Sequence, residues 1–488
     1  MVTRSIGGVV GFLLAAVIGV IPAARAAPDP FHTAEQVAPS PAASVAAAGL
    51  VRACGAVAMP VGPLTLDQVV DRALCNNPQT REAWANARAQ AAALGVSRSA
   101  LLPSLDAAAS YSHNNASGRG AQTGLTPSYD QEAVGLSLNY LLYDFGGRRA
   151  TIANAQAVLA AANASQDAAI QTVFLEAVQA YYQRLAAQAA VDAAVEAEKS
   201  AAEGLKAAVV RYQVGAGTLA DKLQAQTAYS QAVLNRIQAE GNLRIAEGTL
   251  ANAMGLDANV AVAVAPAPAQ TPDQQFERDV SRLIEEARRD RPDLAAAEAQ
   301  IRAAQASIKS ERAAGLPTLS LAAGVNYNDT SVSEAFHSSA VTLNLSVPLF
   351  TGYGTTYRIR AAEAQEAAVT AQRDQLNQQI ALDVWTAYQT LITDTHSVKS
   401  SADLVASASE SARVALGRYQ AGAGNILDVV TAQSALAAAR QQQVQALYGW
   451  YIAKASLARA MGQLNGGSFG ADPASPGRPP VPSPEFQP

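Results

Sequence analysis

Residues 211–217 read RYQVGAG, and residues 418–424 read RYQAGAG. The match continues without a gap to Ala-Met-Gly at 253–255 and at 460–462, so the two blocks lie 207 residues apart. A period of this length is far beyond the ~20–50 residues of a solenoid repeat. The sequence therefore predicts a molecule built from two similar halves.

The N-terminus predicts export from the cytoplasm. Arg4 precedes an apolar run from Ile6 to Ile21, and Ala24-Arg25-Ala26 supplies the small residues of a signal-peptidase site. Because the run is shorter than the ~20 residues of a spanning helix, residues 1–26 are predicted to be a cleaved signal peptide rather than a membrane anchor.

Composition and charge narrow the class of protein further. Residues 27–62 are rich in Ala, Pro and Val, and residues 463–488 in Gly, Pro and Ser; both are predicted to be disordered tails. The net charge of −5 argues against nucleic acid as a partner. Two cysteines, Cys54 and Cys75, are too few for a disulfide framework, and the sequence leaves their pairing open.

Each half has the same order of elements: two strand-like segments, a very long helix, a Gly-Ala-Gly turn and a return helix. The first repeat is predicted over 63–257 and the second over 276–462, joined by an Ala/Pro-rich linker over 258–275. The predicted strands are 105–115, 132–143, 319–328 and 339–349, and the predicted long helices are 147–213 and 355–420.

The strand-like segments alternate between apolar and small or polar residues. Over 133–142, the apolar residues Val134, Leu136, Leu138 and Tyr140 fall on every second position. The segments have the ~10 residues that a tilted strand needs to cross a bilayer, with aromatic residues near their ends. This pattern favours membrane strands over an amphipathic hairpin on a soluble core. Since four strands leave open edges in lipid, three copies are predicted to close a twelve-stranded β-barrel.

The long helices are too long for a globular domain. Residues 147–213 would extend about 100 Å at 1.5 Å per residue, and their surfaces are rich in alanine. An antiparallel coiled coil is the alternative, but strands precede the long helix in both halves. The predicted fold class is therefore mainly α with transmembrane β, internally duplicated, in which a coiled-coil wall continues the barrel as a tunnel.

On these residues the chain resembles the TolC family of outer-membrane channels over about 64–462. The motifs that carry the resemblance are Asn77-Pro78, Leu102-Pro103-Ser104-Leu105, Leu142-Tyr143-Asp144-Phe145-Gly146-Gly147-Arg148, Tyr212-x-x-Gly215, Tyr419-x-x-Gly422 and Asp428 within ILDVV.

The resemblance implies a homotrimer whose twelve-stranded β-barrel lies in the lipid of the cell outer membrane and is continued by a long periplasmic α-helical barrel. Such a channel is a passive exit duct, which docks on a periplasmic adaptor and an inner-membrane ABC transporter or efflux pump. The corner at 144–148 and the lack of a lipidated cysteine after the signal resemble type I secretion members, including exporters of repeats-in-toxin adenylate cyclase haemolysins. The implied cargo is a protein toxin; multidrug efflux is the alternative.

The resemblance also implies a periplasmic gate where the paired helices turn. Tyr419 matches a gate tyrosine, Asp428 an aspartate of the constriction and Asp221 its partner, with Tyr212 at the equivalent place in the first half. Two departures, Gly424 for an arginine and Thr431 for a second ring aspartate, predict one dominant acidic ring from Asp428. The alternative reading is that both aspartates stabilise helix N-termini.

The two turns are predicted to dock the adaptor, as the resemblance also implies. Their glycines, Gly215, Gly217, Gly422 and Gly424, allow a helix to end and reverse within a few residues. Small residues at such a tip leave room for the helical hairpin of another protein.

Enzymatic activity, a cofactor and a metal site are not expected. The sequence has no phosphate-binding loop, and its four histidines lack metal-ligand spacing. The elbow-like GGSFG at 466–470 lies in the Gly/Pro-rich tail without a strand before it, which indicates chance. A surface coiled-coil protein is the remaining alternative, but it predicts sustained heptads without paired strands.

Overall fold

The computed structural model describes residues 29–37, 62–115, 128–267 and 279–464. The predicted signal peptide, Cys54 and residues 465–488 of the predicted tail lie outside the described residues. In chain order the elements are α1 (Leu66–Asn76), α2 (Pro78–Ser99), β1 (Ser104–Asn115), β2 (Ser128–Tyr143), α3 (Gly147–Gln213), α4 (Leu219–Ala253), α5 (Val280–Asp290), α6 (Pro292–Ala313), β3 (Thr318–Thr330), β4 (Ser333–Ser346), α7 (Gly354–Gln420) and α8 (Ile426–Ala460).

The four strands form one antiparallel sheet in the order β1-β2-β3-β4. Strand β4 begins six residues before the predicted segment, directly after the tight turn at Ser331 and Val332, and it ends at Ser346. The early end has a local cause, since Pro348 has no N–H to donate to a ladder.

The register of the sheet places the alternating apolar residues of all four strands on one face. Leu105 pairs with Leu138, Leu138 with Ala323, and Ala323 with Val341. The neighbouring row, Asp106-Ser137-Gly324-Ala340, points to the opposite face, because side chains alternate along each strand. The sheet therefore has one apolar face and one small or polar face.

Both edges of the sheet are open in the single chain. Strands β1 and β4 each pair on one side within the described residues, and every residue of β4 is exposed. Large apolar side chains lie on this surface, including Val341 at 77% exposure and Leu345 at 64%. An apolar, unpaired sheet edge of this length is not stable against water and requires a partner strand and an apolar surrounding.

The helices form two long antiparallel hairpins, α3 with α4 and α7 with α8. Helices α3 and α7 have 67 residues each, which is about 100 Å of helix at 1.5 Å per residue. Helix α8 of the second hairpin packs on α3 of the first. Near the sheet, α2 packs on α3, and α6 packs on both α3 and α7. None of the helices in the described ranges combines the length and the apolar composition of a membrane-spanning helix.

The main hydrophobic core lies at mid-length of the long helices, where α1 and α5 pack against them. The rings of Tyr182 and Tyr451 stack there with 4.7 Å between centroids. The repeated Ala-Met-Gly motif belongs to this core, because Met254 and Met461 are buried. Gly255 follows with a φ of +72°, and a Cβ there would lie 2.7 Å from the carbonyl oxygen of Asn76. The motif thus packs the end of each return helix against the first helix of its repeat, α1 or α5.

Two segments predicted as tail and linker are packed in the structure. Residues 29–37 lie against α2 and α3, where Arg98 Nη1 donates to the carbonyl of Phe31 at 2.8 Å and Val37 joins the apolar cluster around Leu94. In the linker, the amide of Ala265 donates to the carbonyl of Leu64 at 2.8 Å. Composition alone misses such segments, since their order comes from the helices they contact.

Candidate functional site at the helical tip

The two hairpins end in turns of the same geometry. Gly215 and Gly422 adopt positive φ values of 74° and 80°, which favour glycine. The carbonyl of Arg211 accepts hydrogen bonds from the amides of Ala216 at 2.8 Å and Gly217 at 2.9 Å, and so caps the end of α3. The chain reverses direction within a few residues at both tips.

The second glycine of each turn has a different physical role. Neither Gly217 nor Gly424 lies in the positive-φ region. Instead, a Cβ at Gly217 would lie 3.1 Å from the Cβ of Arg211, and one at Gly424 would lie 2.9 Å from the amide nitrogen of Tyr419. These two glycines therefore allow the returning chain to approach the helix end closely.

The return helices begin with side-chain caps. The amide of Asp221 donates to Thr218 Oγ1 at 3.1 Å, and the amide of Thr218 donates to Asp221 Oδ2 at 3.3 Å. This reciprocal pair is a capping box. In the second hairpin Asn425 Oδ1 takes the capping role, by accepting from the amide of Leu427 at 3.1 Å.

Asp428 is therefore not needed as a cap. It lies exposed in the first turn of α8. Within the described residues of its own chain it makes no hydrogen bond or ion pair. Of the two predicted gate aspartates, Asp221 has a helix-capping contact and Asp428 is open to solvent.

The two predicted gate tyrosines are in opposite environments. Tyr419 is 1% exposed, and Arg211 Cζ lies 4.7 Å from its ring centroid. Burial, together with the nearby charge of Asp221, raises the pKa of the Tyr419 phenol. Tyr212 is 41% exposed, and the Nζ atom of Lys222 lies 5.4 Å from its ring centroid. The structure therefore brings Asp221 near Tyr419, but it leaves Tyr212 and Asp428 on open surfaces.

Arg211 connects the two hairpins. Its guanidinium donates to the carbonyl of Tyr419 in α7 and, at 3.0 Å, to the carbonyl of Ala216 in its own turn. Arg418 makes the matching contact in the second turn, with its Nη2 3.4 Å from the carbonyl oxygen of Ala423. Sequence reasoning did not assign a role to either arginine. The signal was present, since Arg-Tyr is repeated 207 residues apart.

A small apolar cluster holds the tip beneath this arginine. Its buried members come from both hairpins and are Ala208, Ala225, Tyr419, Ile426 and Val429. Beside this cluster, Arg211 adds a polar contact between the two hairpins.

A corner at the other end of the helices joins the sheet to α3. Asp144 Oδ2 accepts from the amide of Arg148 at 2.6 Å, and the guanidinium of Arg148 donates to the carbonyls of Ala100 and Leu142, each at 3.2 Å. Aromatic pairs lie at this corner and at the equivalent corner before α7: Tyr143 with Phe145 at 4.8 Å, and Phe350 with Tyr353 at 5.6 Å between centroids. Exposed aromatic rings at this level are typical of a membrane interface.

Comparison with known proteins shows the family to which the chain belongs. The family model described as outer membrane efflux protein matches residues 69–256 and 283–463. The chain is 31% identical over 420 residues to Protein CyaE of Bordetella pertussis, covering 84% of this chain and 86% of that one. It is 25% identical to Outer membrane efflux protein BepC of Brucella suis, covering 83% and 87%, and 25% identical to Proteases secretion protein PrtF of Dickeya chrysanthemi, covering 80% and 87%.

The fold agrees with solved structures of the same class. The outer-membrane channel OprN matches with a TM-score of 0.73 at 23% identity, covering 82% of this chain and 90% of that one. The chain is thus an outer-membrane channel protein whose helices extend into the periplasm. It belongs to the outer membrane efflux protein family, the TolC family of the sequence analysis. The predicted fold class, location and channel function are confirmed.

Proposed function

We propose that three copies of this chain form the exit duct of a tripartite type I secretion system. An inner-membrane ABC transporter and a periplasmic adaptor would deliver a protein, which passes through the duct to the outside. The observation that carries the proposal is the four-stranded sheet, with two open edges and an exposed apolar face, continued by helix hairpins about 100 Å long.

The trimer follows from the open edges. In a bilayer every backbone N–H and C=O needs a partner, so β1 of one copy must pair with β4 of another. Three copies supply twelve strands, enough for a barrel with a polar lumen. The small and polar face of the sheet, which includes Asp106, Ser137 and Gly324, would line that lumen.

Secretion of a protein is favoured by the corner motif at 144–148 and by similarity to a secretion protein named for proteases. Multidrug efflux is the second candidate, since another relative of similar identity is named as an efflux protein. Both functions need the same duct and differ in the pump that docks on it.

The helical tip is proposed to be the gate and the docking site. Asp428 is exposed and unpaired within the described chain, so three copies would place three free carboxylates around the axis. Such a ring attracts cations and would constrict the closed duct. The open turns at Gly215, Gly217, Gly422 and Gly424 would receive the adaptor.

Deletion of the gene separates the two functions. The parent strain, the deletion strain and the complemented deletion strain are compared. Secreted proteins are identified by mass spectrometry, and sensitivity is measured against a panel of drugs. Loss of a secreted protein, with unchanged drug sensitivity, supports type I secretion. Increased drug sensitivity with an unchanged set of secreted proteins supports efflux instead. No change in either contradicts a role in export.

A further inference from the structure

We propose that Asp106 determines the ion selectivity of the barrel section of the duct. Three copies of the chain would place three Asp106 carboxylates on the lumen face of the β-barrel, where they favour cations over anions. The inference rests on the proposed trimer. It gives the barrel a charged ring of its own, separate from the helical tip and independent of whether the tip is open.

The register of the sheet determines the face on which Asp106 lies. Asp106 pairs with Ser137 of β2, and Ser137 pairs with Gly324 of β3. The preceding residue, Leu105, pairs with Leu138 on the apolar face. Because successive side chains of a strand point to opposite faces, Asp106 points away from the apolar face. In a barrel whose apolar face meets lipid, that direction is the lumen.

Asp106 lies at the depth of the membrane. The apolar rows on the outer face extend from the pair Leu319–Leu345 to the pair Val134–Tyr327. The row that contains Asp106 falls between these two limits. An ionisable side chain at membrane depth is expensive unless it faces water, and such residues mark the paths of ions or substrates. The position of Asp106 therefore points to a role in permeation.

The rest of this face of the described sheet is uncharged between the row of Leu141 and the row of Ala133. The other residues there are serine, threonine, asparagine, alanine and glycine, with Leu141 and Phe336 as the large apolar exceptions. Asp106 thus supplies the single fixed charge that one subunit contributes to this stretch of the lumen. Permeating ions would meet a neutral polar wall and one ring of carboxylates.

The Asp106 carboxylate is not compensated within the described chain. Asp106 is exposed, and it makes no hydrogen bond or ion pair with another described residue. Other carboxylates of the sheet region differ in this respect. Asp130 Oδ1 lies 2.7 Å from Nδ1 of His113, and Asp144 Oδ2 lies 3.3 Å from Nε of Arg148. The field of Asp106 is therefore directed into the lumen.

Barrel geometry sets the strength of the proposed ring. Twelve strands about 4.8 Å apart and tilted by about 40° close a barrel with a radius of about 12 Å. Three inward-pointing carboxylates would then lie about 10 Å from the axis, which is about one Debye length at 0.1 M salt. The ring should favour cations across the whole lumen at that ionic strength. At about 1 M salt the Debye length is about 3 Å, so the preference should largely disappear.

Reversal potentials in planar bilayers test the assignment, with the purified full-length protein under a KCl gradient. Asp106→Asn should lower the ratio of K⁺ to Cl⁻ permeability about threefold near 0.1 M salt and change it little near 1 M. Asp106→Lys should lower the ratio further. The matched control is Glu132→Gln, which removes a carboxylate from the outward face, where Glu132 pairs with Tyr111. It should leave the ratio unchanged.

Movement of the charge to the neighbouring strand separates charge from structure. In Asp106→Asn/Ser137→Asp the carboxylate stays in the same row, on a side chain directly opposite in the sheet. This double variant should restore the permeability ratio. Ser137→Asp alone adds three carboxylates without a change at Asp106 and should raise the ratio. It decides the point if Asp106→Asn does not insert into the bilayer.

Each other outcome overturns a defined part of the account. Conducting channels of Asp106→Asn with an unchanged permeability ratio overturn the selectivity role and leave the duct intact. A loss that Asp106→Asn/Ser137→Asp does not restore, or no rise in Ser137→Asp alone, does the same. An equal loss in Glu132→Gln overturns the assignment of the lumen face. Absence of conductance from the unmodified protein contradicts the proposed duct itself.

Discussion

The guanidinium of Arg211, on the first helical hairpin, lies over the ring of Tyr419, on the second, with 4.7 Å between Cζ and the ring centroid. The same side chain donates to the carbonyls of Tyr419 and Ala216. One arginine thus holds its own turn and the end of the neighbouring long helix, at the proposed gate.

Arg211→Ala should loosen the closed tip. A cation–π contact contributes about 0.5–2 kcal/mol, and a loss of about 1–2 kcal/mol shifts a two-state equilibrium by a factor of about 5–30. Single-channel recordings in planar bilayers should show more time in high-conductance states. Arg413→Ala is the control, since Arg413 is 72% exposed and pairs with Glu410 on its own helix. Equal effects of the two substitutions would contradict the connecting role of Arg211.

Asp428→Ala should reduce block of the channel by divalent cations. Three carboxylates near the axis attract such ions strongly, and their removal leaves little charge in the constriction. The measurement is the concentration of Mg²⁺ that halves the single-channel current, which should rise about tenfold or more if the lost attraction exceeds about 1.4 kcal/mol. Asp403→Ala removes an exposed carboxylate from α7 and should leave this concentration unchanged. Unchanged block in Asp428→Ala would rule out the acidic ring.

Bulky residues at the second glycine of each turn should impair adaptor docking. A side chain at Gly217 or Gly424 meets the preceding helix end at about 3 Å, so the turn must shift. Gly217→Leu and Gly424→Leu should therefore lose in vivo cross-linking to the adaptor and export. Gly417→Leu, on an open helix surface near the tip, is the matched control. Full cross-linking and export in the two turn variants would contradict docking at these turns.

Gly255→Ala should destabilise the core. The positive φ of 72° is costly for alanine by about 1–2 kcal/mol, and its Cβ would lie 2.7 Å from the Asn76 carbonyl. Gly417→Ala, in a helix interior with open space, should instead be neutral or stabilise by about 0.5–1 kcal/mol. Thermal unfolding followed by circular dichroism in detergent compares the two. A Tm for Gly255→Ala at or above that of Gly417→Ala would show that the close approach is relaxed at little cost.

Arg291→Ala should be strongly destabilising. Arg291 is 7% exposed and bridges Asp293 at 2.6 Å and Asp383 at 2.9 Å, which ties α6 to α7. Removal of one partner from such a network costs about 3–5 kcal/mol when the remaining charges stay buried, and somewhat less here because the aspartates are about 30% exposed. Arg289→Ala breaks an exposed pair with Asp290 and should change stability by about 1 kcal/mol at most. Urea unfolding of both variants measures their free energies of unfolding, and a loss in Arg291→Ala no larger than that in Arg289→Ala would contradict this role of Arg291.

Local pattern was sufficient for much of the fold. The predicted helix over 147–213 is α3 to the residue, because Gly146 and Val214 end the helical stretch with clear turn geometry. The alternation in the strands predicted the apolar face, because period two follows from strand geometry alone. The repeat predicted that both hairpins would end in the same turn.

Contacts between segments that are distant in the sequence could not be predicted from local pattern. The Arg211–Tyr419 contact joins residues on separate hairpins, and a helical pattern does not show which side of a hairpin faces the next one. The packing of residues 29–37 on α2 has the same cause. The gate roles of Asp221 and Asp428 stay predictions, although their different local contacts explain why the two aspartates need not act alike.

The central claim is a trimeric conducting duct, and one combined measurement tests it most directly. The purified full-length protein is weighed by native mass spectrometry in detergent, and the same sample is inserted into planar bilayers. The account predicts the mass of three chains and discrete, cation-selective conductance steps. A monomer that gives no conductance would contradict it.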